Sequence, residues 1–165
     1  YFDPSLGDMG ANTAVNLDGT SKRDGIETAA RFAFSENLSL YLAYTYLDAY
    51  EPEVDGSADQ EIRRPRHIAS GNLNYLFFNQ RGKLNINVDY NGEQEDIFFG
   101  PPTFNQRVTL DAYTLVSTMI SYRLLDGLEV YARGENLLDE AYQEIYGFNG
   151  QGRAGYLGVR ANWSL

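Results

Sequence analysis

The chain has 165 residues, a formal net charge of -10, 43% hydrophobic and 14% aromatic residues, and no cysteine. Its length and apolar content exclude a disordered tail, and its acidity disfavours nucleic acid, whose phosphates it would repel. The missing cysteines exclude a disulfide framework and a thiolate metal site.

Alternation of apolar and polar residues dominates, and helical periodicity is scarce. Ile26, Thr28, Ala30, Phe32 and Phe34 share one parity, against Glu27 and Arg31. Leu38, Leu40, Leu42, Tyr44 and Tyr46 follow, and then Ala69, Gly71, Leu73, Tyr75 and Phe77. The cleanest stretch sets Leu84, Ile86, Val88 and Tyr90 against Lys83, Asn85, Asn87, Asp89 and Asn91. Val116, Thr118, Ile120, Tyr122 and Leu124 form the next, with Leu115 and Met119 on its polar side. Leu128, Val130 and Ala132 oppose Glu129, Arg133 and Glu135. A last strand runs from Gly155 to Leu165, with Leu157, Val159, Ala161, Trp163 and Leu165 opposite Tyr156, Arg160, Asn162 and Ser164. These are seven predicted strands, each with one oily and one wet face.

The connections alternate in length. Ser35-Glu36-Asn37, Asn79-Gln80-Arg81-Gly82 and Leu125-Asp126-Gly127 are tight turns, whereas 50–63, 92–109 and 140–153 are long polar loops. Short turns at one end and long loops at the other are the pattern of an antiparallel up-and-down transmembrane β-barrel. No apolar run approaches the ~20 residues of a spanning helix. The mid-strand charges Glu27, Arg31, Asp89, Arg123, Glu129, Arg133 and Arg160 all lie opposite the aliphatic parity, as expected for a barrel with a hydrated lumen and equally for any amphipathic sheet. Phe34, Phe77, Tyr122 and Trp163 gather near the short turns, and Tyr44, Tyr46 and Tyr90 near the long loops. That placement predicts two interfacial aromatic bands.

The segment YARGENLLDEAYQEIYGFNGQGRAGYLGVRANW resembles the C-terminal signature of the TonB-dependent outer-membrane receptors, the cobalamin and siderophore importers. Asn136, Leu137, Asp139, Tyr142, Gly147, Gly152, Arg153 and the strand around Gly158 carry the resemblance, and LSLYLAYTYLDA and RRPRHIASGNLNY resemble earlier strands of the same barrel. The family usually ends on an aromatic residue that signals outer-membrane assembly; the match here is Trp163, with Leu165 continuing its parity two residues later. The resemblance implies a plug domain and a barrel of about 22 strands, of which this all-β chain, residues 1–165, is the C-terminal part with about seven strands and no plug. Tyr1-Phe2 then reads as the tail of a further strand, and residues 3–23 as the loop after it. Tyr1-Phe2-Asp3-Pro4, with no basic start, apolar stretch or initiator Met, reads as a mature product or a piece of a longer chain. The implied partners are outer-membrane lipid and lipopolysaccharide, the barrel-assembly machinery, the plug and remaining strands of the parent, and through the plug the TonB complex. The implied C-terminus is periplasmic.

No nucleophile–base pair or phosphate-binding glycine loop is present, so the reading is a receptor rather than an enzyme, with no cofactor. Asp48, Glu51, Glu53, Asp55, Asp59 and Glu61 could offer oxygens to calcium, but without ordered ligand spacing they read as a solvated loop. His67, the single histidine, reads as a rim residue where a strand begins rather than a metal ligand. Arg63, Arg64 and Arg66 form a basic island around Pro65, either loop-to-strand punctuation or a contact for lipopolysaccharide phosphates or an anionic ligand. Phe98, Phe99 and Phe104 either grip a ligand or pack against neighbouring loops. Asn136 and Asp139 read as side chains that satisfy backbone groups where a strand opens into its loop, and Gly150 and Gly152 as turn residues. The competing function is a self-contained small outer-membrane barrel of eight strands with a structural or adhesive role. Its eighth strand would have to come from the turn-like DPSLGDMGANT, and the coding sequence upstream of Tyr1 discriminates the two.

Overall fold

The computed structural model describes residues 19–52, 57–102 and 106–163. Twelve strands are present: β1 (Lys22–Ser35), β2 (Leu38–Pro52), β3 (Ala58–Gln60), β4 (His67–Phe77), β5 (Gly82–Asn91), β6 (Gln94–Phe98), β7 (Gln106–Leu110), β8 (Tyr113–Leu125), β9 (Leu128–Glu135), β10 (Gln143–Ile145), β11 (Phe148–Asn149) and β12 (Ala154–Ala161). The main sheet runs β1-β2-β4-β5-β8-β9-β12, with β3 added to the end of β2. Every pair in it is antiparallel. The seven strands of this path are the seven predicted ones, joined up and down without a crossover. Strands β1, β2, β4, β5 and β8 have 10–15 residues, enough for a tilted crossing of a bilayer.

Register turns seven separate alternations into two continuous faces. Leu42 pairs with Ala30 and Gly71, Leu73 with Ile86, Leu84 with Ile120, Ile120 with Ala132, and Ala132 with Leu157. Directly opposed residues share a face, so the aliphatic parity forms one strip from β1 to β12. That strip is exposed: Ile26, Val159 and Leu157 are 67%, 67% and 88% accessible. The buried hydrophobic residues among those described are Ala49, Leu110 and Tyr113, all towards the long-connection end. A soluble sandwich would show the reverse, with its aliphatic strip inside.

The opposite face is polar and bonded to itself. Asn74 Nδ2 donates to Asn72 Oδ1 at 2.6 Å, and Asn85 Nδ2 to Asn72 Oδ1 at 3.1 Å and Asn74 Oδ1 at 2.9 Å. Asn87 links this ladder to Asp89. Further along, Arg160 Nη1 donates to Glu129 Oε1 at 2.9 Å.

Both aromatic bands form. At the short-turn end Tyr75 stacks on Phe77 at 5.9 Å, and Phe78 packs edge-on to Phe77 and Tyr122 at 5.2 and 6.2 Å. Phe78, Asn79 and Gln80 are all left-handed, with φ of 51°, 52° and 63°, and this turn throws the Phe78 ring outward. At the other end Tyr44 and His67 share a hydrogen bond of 2.8 Å between Oη and Nδ1, and Tyr46 lies 5.4 Å from the same imidazole. His67 opens β4 at the rim, as expected.

The differences from the sequence reading lie at strand ends. β1 starts at Lys22 and β2 reaches Pro52, so both take residues assigned to loops. The long loops contain β3, the β6–β7 hairpin and the β10–β11 hairpin. The last strand stops at Ala161, which pairs with Leu128 at the start of β9. Beyond Leu128 the neighbouring chain is the turn at Gly127, so pairing runs out after Asn162 N donates to Gly127 O at 2.7 Å. Trp163 therefore follows the strand and is 79% exposed. Leu165, like Tyr1 and Phe2, lies outside the described residues.

Gly127 has φ of 81°, and a Cβ there would sit 2.2 Å from the backbone oxygen of Asn162. Gly127→Ala is expected to destabilise the full-length barrel by about 1–2 kcal/mol from the left-handed backbone alone, with the clash adding to it. Equilibrium denaturation in detergent or lipid checks this.

Candidate functional site

At the long-connection end the polar face meets the loops around a cleft of about 580 Å³. Glu27 of β1 and Thr45 of β2 contribute from the sheet, Arg63 and Arg64 from the β3–β4 connection, and Glu144 and Ile145 from β10. Tyr113 lies on its wall, where Asn91 Nδ2 donates to Tyr113 Oη at 2.9 Å and the phenol reaches Glu144 Oε1 at 3.4 Å. The lining mixes amides, both signs of charge and the apolar side chains of Leu47, Pro65, Ile68 and Ile145, which suits a polar ligand with an apolar body.

Asp96, on β6, holds the surrounding connections together. It is 0% exposed. Arg63 Nε and the Ile97 N–H donate to its Oδ1 at 2.9 and 2.8 Å, and the Tyr146 N–H donates to Oδ2 at 2.7 Å. Burial alone would raise its pKa. The Tyr146 and Ile97 N–H groups and the Arg63 guanidinium overcome this and hold the carboxyl below the usual carboxylate range. Arg63 is itself left-handed, with φ of 56°, and its N–H donates to Glu95 O at 2.7 Å. The Phe98 ring packs edge-on to Tyr146 at 5.4 Å, and Gln94 Nε2 donates to Glu144 O at 2.9 Å.

The basic island is woven into the acidic loop. Arg63 pairs with Asp96, Arg64 with Glu61 at 3.6 Å, and Arg66 with Asp48 at 3.1 Å. Arg66 Nη2 also donates to Tyr50 Oη at 2.7 Å. Arg23 grips Glu61 with two bonds, at 2.7 and 2.9 Å, and Arg107 pairs with Asp59 at 2.8 Å. Asp48, Asp59 and Glu61 thus have guanidinium partners, Glu53 and Asp55 lie outside the described residues, and no cluster of three metal-ligating side chains occurs among those described. Arg64, whose carboxylate is shared with Arg23, keeps the looser pairing and lines the cleft.

Neither Phe98 nor Phe99 lines the cleft: Phe98 is against Tyr146, and Phe99 is 66% exposed. Phe104 lies outside the described residues.

The signature residues build the base of the 136–153 loop. Asn136 is 5% exposed and left-handed; its Nδ2 donates to Glu140 O and Gln151 O, both at 2.9 Å, and its Oδ1 accepts from Glu140 N at 2.9 Å. Leu137 N donates to Val116 O at 2.8 Å. Asp139, also left-handed, accepts from the Arg153 N–H at 2.9 Å and lies 3.6 Å from its guanidinium. Tyr142 packs on Tyr113 at 4.7 Å and covers Gly150, and Gly152 sits beside Asp139. Gly158, which pairs with Tyr131, leaves room for the Tyr131 ring, an aromatic side chain covering a bare strand position.

The family model described as "TonB dependent receptor-like, beta-barrel" matches residues 1–137. The chain belongs to that family. It is a family of transport receptors, not of enzymes. The vitamin B12 transporter BtuB of Photobacterium profundum is 36% identical over 144 residues, 86% of this chain and 21% of that protein. BtuB of Vibrio cholerae is 32% identical over 146 residues, 87% of this chain and 22% of that protein. Among solved structures, the ferripyoverdine receptor of the Pseudomonas aeruginosa outer membrane superposes with a TM-score of 0.71 at 18% identity, covering 86% of this chain and 19% of that one. The chain spans about a fifth of the length of the relatives it matches, and its sheet is a partial barrel.

Proposed function

We propose that this chain is the C-terminal wall, with three outward connections, of a TonB-dependent outer-membrane receptor that imports a cobalamin-type ligand. The observation that carries the reading is the cleft of about 580 Å³ on the wet face, walled by connections tied to one another. The similarity to two vitamin B12 transporters favours cobalamin over a ferric siderophore. The amides of Asn91 and Gln94 at the cleft also suit a ligand rimmed with amide groups.

The wider setting belongs to the same proposal. β1 and β12 end the path of the sheet, and an unpaired strand edge in hydrocarbon is costly, so further strands of the parent pair with them. The parent's plug closes the bore and answers to the TonB complex. The long connections face outward towards lipopolysaccharide, and the C-terminus lies on the periplasmic side, where the assembly machinery would read the last strand.

The full-length receptor in detergent, titrated with cyanocobalamin and with ferric siderophores, tests this. Saturable cyanocobalamin binding is expected, with Arg64→Ala weakening it several-fold. Siderophore binding alone would replace the ligand class, and no binding of either would overturn the reading.

A further inference from the structure

We infer that Asp96 is a positioning residue for the cleft: its carboxylate locks three separate connections into one block and so fixes where Arg63, Glu144 and Ile145 stand. The inference rests on the cleft being the ligand site, and its test separates the two. Asp96 is the completely buried side chain of largest volume among the described residues, and it touches the cleft only through its partners. Those partners are far apart in sequence: Arg63 lies 33 residues before it and Tyr146 lies 50 residues after it. A buried carboxylate stripped of donors is unfavourable, so none of the three connections drifts without breaking its shell. Arg63 and Ile145 are cleft residues, and Ile145 directly precedes the Tyr146 amide. The left-handed backbone of Arg63 is a conformation that its N–H to Glu95 and its guanidinium to Asp96 together hold in place. The arrangement orders the cleft before a ligand arrives, which lowers the ordering cost of binding.

The two carboxylate oxygens divide the work, and this gives a selective variant. Asp96→Asn preserves shape and can still accept from Arg63 and Ile97 on one oxygen. Its amide nitrogen then faces the Tyr146 N–H, donor against donor, so the 143–149 segment loses its bond to residue 96 and keeps only the Gln94–Glu144 bond and the Phe98–Tyr146 ring contact to β6, while the β6–β7 hairpin stays tied to Arg63.

In the full-length receptor, hydrogen exchange at the Tyr146 amide is expected to accelerate at least tenfold in Asp96→Asn. Affinity for cyanocobalamin should fall about tenfold while the melting temperature of the barrel is unchanged. A merely structural role would move the melting temperature and leave the affinity of the folded receptor alone. If Asp96→Asn does not assemble, Asp96→Glu, which keeps the charge but lengthens a completely buried side chain, is read in the same way and must speed exchange at Tyr146 and lower affinity at unchanged melting. Unchanged exchange at Tyr146, or faster exchange with wild-type affinity, overturns the positioning role while the ligand site stands. A wild-type receptor that binds neither cyanocobalamin nor a ferric siderophore sinks the ligand reading, and the positioning role falls with it.

Discussion

Ile86→Arg in the full-length receptor should lower folding stability in a lipid bilayer by about 2–4 kcal/mol, whereas Ser117→Arg should change it by less than about 1 kcal/mol. The two positions are near neighbours. Ser117 pairs with Asn87 and Ile86 pairs with Thr118, so they sit one step apart on the same pair of strands and differ only in face. Ile86 lies on the aliphatic strip, midway along β5 between Gly82, which pairs with Phe77 and Tyr122 of one band, and Tyr90, which is level with Tyr44 of the other. A guanidinium there meets hydrocarbon, with no carboxylate on that strip at mid-strand. At Ser117 the same group enters the wet face, beside Asn87 and the Asn87–Asp89 pair. Equilibrium unfolding of the two variants in lipid vesicles measures the difference directly. Equal costs would mean that both faces are wet, and a larger cost at Ser117 would mean that the barrel is inside out.

That experiment leans on the part of the structure that was legible from the residues. Side-chain direction in a strand has a period of two, so KLNINVDYN announces both of its faces without any knowledge of its neighbours. The same holds for the turn chemistry at Asn136 and Asp139, whose short polar side chains close onto nearby backbone in the left-handed conformation. Strand ends are a different matter. Parity carries Trp163 onto the final strand, but pairing runs out where β9 begins, at Leu128, and nothing within the last strand records that. The hairpins inside the long connections were equally hidden, because residues such as Gln94–Phe98 become strands by pairing with Gln106–Leu110 and packing on neighbouring loops. The basic island was visible as charge. Its use was not, since Arg63 and Arg66 turn to carboxylates on other elements, Asp96 on β6 and Asp48 on β2, and Arg64 alone to its near neighbour Glu61. Asp96 is the extreme case. In the stretch GEQED it resembles any solvated loop acid, and only the meeting of three connections makes it buried.

Acid should open the loop block well before it touches the sheet. Because the folded-state pKa of Asp96 is held below its ordinary value of 3.8, the carboxylate stabilises the folded connections fully at any pH above that value. The contribution declines as pH falls below 3.8 and is gone once pH passes the lower folded pKa, where Asp96 carries a proton and the bond from the Tyr146 N–H to Asp96 Oδ2 is weakened. Neutral pH and mild acid therefore leave the block closed. Asp96→Ala removes the carboxylate at every pH and is expected to cost about 3 kcal/mol of local stability, because it empties the acceptor for two part-buried N–H groups and leaves Arg63 half out of water without its partner. Hydrogen exchange over 94–98 and 143–149 of the full-length receptor reads both effects. The wild type should show protection that is flat from neutrality to about pH 4 and falls below it, and Asp96→Ala should show weak protection with no such step. Protection in the β4–β5 and β5–β8 pairs should not follow, since their backbone hydrogen bonds involve no titrating group and the bonds among Asn72, Asn74 and Asn85 are neutral. A wild-type profile that stays flat through the whole acid range would show that some other contact holds the three connections together.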